Sequence, residues 1–144
     1  MLVDCPHFFR KEHQMKYLVL LGRIFYVAMF FKAAPGHFTA GTVAYAASAG
    51  VPMASIAVPL SGVIAIVGAL SVLIGYKAKY GAWLLVIFLV PVTIMMHRFW
   101  GLKDQQMAMT QQINFMKNLS MLGAALLITY FGSGPLSLDR EKKS

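Results

Sequence analysis

SIAVPLSGVIAIVGALSVLIGY, residues 55–76, contains no Lys, Arg, Asp or Glu, and the uncharged run around it extends from 33 to 76. The hydrocarbon core of a bilayer is about 30 Å thick and takes about 20 apolar residues in a helix to cross. This stretch therefore makes the chain an integral membrane protein. Residues 80–96 and 118–138 repeat the signal without charges, and residues 17–34 repeat it with Arg23 and Lys32 inside.

Composition agrees. The 144 residues are 58% hydrophobic and 12% charged, with a mean hydropathy of +0.65; an average soluble domain is about 25% charged. Four spans would use most of the chain, which leaves no room for a soluble catalytic domain. The formal net charge of +8 sits at the chain ends and between apolar runs, where cytoplasmic loops collect Lys and Arg. Anionic headgroups suit that arrangement. Nucleic acid does not, because no basic stretch with interleaved aromatics is present. The single Cys5 cannot form an internal disulfide or a CxxC pair, and no apolar segment precedes it to make it a lipoprotein acceptor.

The expected fold is all-α, a polytopic four-transmembrane-helix bundle with a short interfacial helix between the first two spans. Residues 1–16 read as a basic cytoplasmic tail, 17–135 as the membrane domain and 136–144 as a second cytoplasmic tail. The spans fall at about 17–34, 55–76, 80–96 and 115–131. The first closes at Pro35-Gly36, a helix-breaking pair, and reads as a retained helix rather than a signal peptide. Between it and the second, residues 42–49 form a short helix with Gly50 as its cap. Ala57, Ser61, Ala65 and Ala69 recur every fourth residue in the second span, a stripe that lets helices approach closely. Pro91 should kink the third span, and residues 102–112 read as a polar loop. With the N-terminus inside, the cytoplasmic segments hold Arg10, Lys11, Lys16, Lys77, Lys79, Arg140, Lys142 and Lys143. The outer loops hold only Arg98 and Lys103. Both termini are thus expected in the cytoplasm.

Two polar groups stand out. Arg23 lies roughly 10 Å inside the first span at 1.5 Å per residue, where a charge either snorkels or meets a partner such as an anion or a quinone head. Lys32, near the outer boundary, falls on the opposite face of that helix. The densest cluster is His97-Arg98-Phe99-Trp100 at the outer end of the third span, facing Lys117-Asn118 at the outer start of the fourth. A ligand carbonyl there would accept from His97 or Lys117 while its ring packs on Trp100; the alternative is an aromatic and basic interfacial belt. Met95, Met96, Met107 and Met109 supply soft thioethers for Cu(I), but a lone histidine gives them thin support, and no metal is expected.

As a whole the chain resembles the DoxX family of small four-helix bacterial membrane proteins. The resemblance is carried by Leu21-Gly22-Arg23, Phe31-Lys32, Tyr45-Ala46-Ala47-Ser48-Ala49-Gly50-Val51-Pro52, Gly68, Gly75 with Lys77, Met96-His97-Arg98-Phe99-Trp100, Phe115-Met116-Lys117-Asn118-Leu119 and Gly132-Ser133-Gly134-Pro135-Leu136-Ser137-Leu138-Asp139. Many members carry a Glu where this chain has Ile66, so a role for that acid does not transfer. The resemblance implies a multi-pass protein of the bacterial cytoplasmic (inner) membrane, a subunit of a redox or respiratory complex. Arg23, Lys32, His97, Arg98, Trp100, Lys117 and Asn118 would be its ligand contacts and a non-covalent quinone its cofactor. The other readings are a non-catalytic accessory or assembly subunit without a ligand, and an oligomeric small-molecule transporter. By itself the chain is not expected to be an enzyme. Its expected partners are the lipid bilayer and other membrane subunits, or a second copy of itself.

Overall fold

The computed structural model describes residues 6–139. The expectations for Cys5 and for Arg140, Lys142 and Lys143 lie outside them, as do those for the side chains of Arg10 and Lys11. Five α-helices follow one another: α1 (Pro6–Ala33), α2 (Ala40–Ser48), α3 (Ala54–Ile74), α4 (Ala78–Met96) and α5 (Gln105–Phe131), with a 3₁₀ turn, Ala34–Phe38, between α1 and α2.

The first helix starts well before the expected boundary at 17. Pro6 occupies a first-turn position, where its missing N–H costs nothing, and neither Gly nor Pro occurs again until Gly22. Nothing in the sequence stops the helix, so the polar segment continues it. Pro35-Gly36 ends the regular helix as expected, within the 3₁₀ turn. Thr39 then caps α2, its hydroxyl accepting from Thr42 N–H at 3.3 Å. Gly50, at φ +85°, closes the connection after α2.

Gly75, at φ +71°, caps α3. The α3–α4 contact is close because Gly68 and Gly81 meet. A Cβ on Gly68 would stand 2.9 Å from the carbonyl oxygen of Gly81, and one on Gly81 would collide with Ser71. Small residues at such crossings let backbones approach and gain dispersion contact. Around them the core gathers Val27, Phe30, Ala65, Ala69, Val72, Leu85, Leu89 and Ala125. Of the small-residue stripe, Ala65 and Ala69 are fully buried in this core, while Ala57 and Ser61 are half-buried.

Large apolar side chains also cover the outside: Phe25 on α1, Val67 on α3, Ile87 on α4 and Leu127 on α5 are all exposed. Such a surface needs a non-aqueous solvent. Three helical segments are long and apolar enough to cross a bilayer, Met15–Phe38, Ala54–Ile74 and Ala78–Met96. The protein is thus all-helical and polytopic, but the fourth expected span does not meet the same measure. Helix α5 has ample length at 27 residues. Its N-terminal half, with Gln105, Gln106, Gln111, Gln112, Asn114, Lys117 and Asn118, dilutes the apolar second half. Much of the expected polar loop is the first part of this helix, started by Asp104, whose carboxylate accepts from Met107 N–H at 2.7 Å.

Candidate functional site

One end of the bundle is built around two cavities of about 430 and 330 Å³. They share a wall formed by His37, Phe88, Val92 and His97. The larger is apolar and bordered by α3 and α4 through residues such as Val58, Ile64 and Met95, with α2 contributing Thr42. The smaller lies between α1, α4 and α5 and carries Lys32, Lys117 and Asn118.

Both histidines on the shared wall are held by side-chain bonds to another element. Ser61 Oγ donates to the Val58 carbonyl at 2.7 Å, so it accepts from His37 Nδ1 at 3.1 Å. Tyr45 Oη donates to the Met96 carbonyl at 3.3 Å and accepts from Gln111 Nε2 at 3.0 Å. The Gln111 oxygen thereby faces His97 Nδ1 at 2.9 Å and accepts from it. These bonds assign the Nδ1 proton to both rings. They also tie the 3₁₀ turn to α3, and α2 to the end of α4 through α5. His37 reaches its place because Gly62 has no side chain; a Cβ there would lie 2.6 Å from that of His37. Its ring packs against Phe88, with centroids 5.4 Å apart.

Four of the seven predicted site residues come together here: Lys32, His97, Lys117 and Asn118. Lys117 Nζ donates to Asn114 Oδ1 at 3.1 Å. Asn118 is only 6% exposed, and its carboxamide makes no hydrogen bond among the described residues. Arg98 and Trp100 line neither cavity. Trp100 instead packs edge-on against Phe99 and Phe115 at 5.3 and 6.0 Å, so it forms an aromatic cluster beside the site rather than a platform within it. Among the described residues, no three His, Cys, Asp or Glu side chains gather where a metal would sit. Sequence reasoning missed His37, Tyr45 and Gln111 as parts of this end. The one available signal was His37 directly after the Pro35-Gly36 breaker, which turns the chain back toward the bundle.

Arg23 belongs to the other end. It is 4% exposed, and its Nη2 donates to the carbonyls of Pro135 and Leu136 at 3.2 and 2.6 Å. Those residues belong to the segment after α5, which folds back over the α3–α4 turn. There Leu138 and Asp139 donate to the Ile74 and Gly75 carbonyls at 3.2 and 2.8 Å, and the Asp139 carboxylate accepts from Ala78 N–H at 3.2 Å. A Cβ on Gly75 would collide with both Arg23 Nη1 and Ser137. Arg23 does not join the cavity residues; it fastens the C-terminal segment.

Fold and site together define a small polytopic helical membrane protein with a cavity near one end of its bundle. The sequence model of the SURF4 family matches residues 2–144, and the chain belongs to that family. It is 33% identical over 101 residues to the inner membrane protein YphA of Escherichia coli (strain K12), covering 70% of this chain and 71% of that protein. It is also 33% identical over 81 residues to the ER-derived vesicles protein ERV29 of Saccharomyces cerevisiae, and 32% identical over 73 residues to the Surfeit locus protein 4 homolog of Schizosaccharomyces pombe. These matches cover 56% and 50% of this chain but only 26% and 24% of the yeast proteins. No solved structure matches. The family match over nearly the whole chain overturns the DoxX resemblance. The motifs that carried it are short and rich in Gly, Pro and interfacial aromatics, which small helical membrane proteins share. The redox-subunit expectation rested on that resemblance and falls with it, and the quinone expectation loses the support that the resemblance lent it.

Proposed function

We propose that the protein is a non-catalytic accessory component of the bacterial cytoplasmic membrane that recognises a ligand at one end of its bundle. The observation that carries this reading is how the polar side chains there are used. Those of His37, Ser61, Tyr45, His97 and Gln111 bond one element to another around an apolar space, which suits holding a binding space open rather than driving a reaction. Membership of an integral membrane family supports the accessory role, and the likeness to an inner membrane protein supports the location.

In this reading α5 is a fourth crossing. It runs back along α4, from Gln111 beside His97 to Gly132 beside Lys79, and so covers the same depth. The exposed Leu119, Leu126 and Leu127 continue the apolar outer surface. The excess of Lys and Arg in the turns and tails at the other end orients both termini to the cytoplasm, leaving the cavities in the outer half.

Deletion of the gene tests the role. An accessory protein should co-purify in fixed ratio with one membrane partner, and that partner's membrane level should fall on deletion and return with the wild-type chain. A chain that purifies alone, with no membrane protein depleted in its absence, overturns the accessory reading.

A further inference from the structure

We propose that the two cavities together hold a single-chain amphiphile with a carboxylate head, a long-chain fatty acid. This rests on the reading of this end as a recognition site and not on the accessory role, which gene deletion tests separately. The smaller cavity supplies the head site. Lys32 and Lys117 line it, and no acid with a described side chain answers them: Asp104 caps α5 and Asp139 lies at the far end of the bundle, while Glu12 precedes Lys32 by twenty residues along α1, about 30 Å at 1.5 Å per residue. Two ammonium groups that share one space without a facing carboxylate attract an anion. Asn118, 6% exposed and without a hydrogen bond among the described residues, adds a carboxamide whose N–H groups can donate to a carboxylate.

The larger cavity supplies the tail site. Its walls are Val58, Leu60, Ile64, Ile87, Val92 and Met95, and its volume lies within the range of about 300–1,000 Å³ typical of ligand pockets. Leu60 and Ile87 are also exposed on the outer surface of α3 and α4, so the tail enters sideways from the lipid. His37, Phe88, Val92 and His97 line both spaces, so these meet at the four side chains, and the acid runs past them from its head to its tail. One carboxamide and two ammonium groups border the head space, a set of donors from which a carboxylate can accept.

The full chain in phosphatidylcholine nanodiscs, irradiated with a diazirine-bearing palmitate, tests this. Labelling is expected within 57–64 and 87–96, and palmitate should displace the probe while hexadecanol does not. Lys32→Gln and Lys117→Gln should each weaken capture by about tenfold, as expected for loss of one charge-assisted contact. Lys32 is exposed, so its substitution reads the head contact even where the buried-side variant fails to fold. Equal displacement by hexadecanol, labelling spread over lipid-facing residues such as Phe25, or unchanged capture by Lys32→Gln overturns the proposal. Stronger displacement by lysophosphatidate than by palmitate also overturns it, by assigning the head site to phosphate.

Discussion

Arg23 shows how much one intramembrane charge can organise. Its place was legible from sequence, because a charge seven residues inside an apolar run is conspicuous. Its partners were not: they are the backbone carbonyls of Pro135 and Leu136, 112 and 113 residues away, and a carbonyl leaves no mark in a sequence. Leu136 itself adopts a left-handed φ of +56°, uncommon for a side chain with a Cβ and held here by the guanidinium on its oxygen. Arg23→Met keeps the volume and removes the donor. Hydrogen bonds to charged groups contribute about 1.5–3 kcal/mol, so amide exchange at Leu138 and Asp139 should accelerate by about tenfold or more. The amides of α3 should exchange as before, because replacing a buried ion by an apolar side chain of similar size is often neutral for the core. Unchanged exchange at 138 and 139 would show that the segment is held without Arg23.

At the scale of elements, α3 and α4 depend on what their crossing lacks. Gly81→Val would drive side-chain atoms into Ser71 and the Gly68 carbonyl, and overpacking of this kind costs about 1–3 kcal/mol. A fall in melting temperature, with Gly123→Ala as the benign comparison, is the expected result; nothing lies within 4 Å of a Cβ at Gly123. The apolar runs that became α3 and α4 were readable to within a few residues, since periodicity and Gly75 mark them clearly. Helix α5 was half-read. Its first turns are Gln, Thr and Asn, and a search for apolar stretches passes over a helix that begins polar. Asp104 was the available signal, a capping residue before a run free of Gly and Pro until Gly123. The same lesson applies to the site. The cavity residues on helix ends were visible as a polar cluster, but His37 and Gln111 enter through the turn and the polar half of α5, the two elements least marked in the sequence.

For the whole molecule, the decisive question is how many times the chain crosses. If α5 spans, positions on either side of it must lie on opposite faces of the membrane. In a Cys5→Ser background, Lys103→Cys should react with an impermeant maleimide on intact cells, while Leu138→Cys should react only after lysis. Both positions are exposed in the structure. Reaction of both from the same side would leave three crossings and place α5 along the surface. Class was legible here from composition alone, because 58% hydrophobic residues with 12% charged admit few other solvents than lipid. Family was not, since short Gly- and Pro-containing motifs recur among unrelated helical membrane proteins.

The Arg23 clasp also imposes an order in time. A ribosome delivers Arg23 to the bilayer early and its acceptors at Pro135 and Leu136 more than a hundred residues later. Throughout that interval the guanidinium must stay hydrated or borrow a lipid phosphate. Completion of the bundle thereby waits on synthesis of the segment beyond α5: a nascent chain broken off after α5 would leave the guanidinium without these two acceptors.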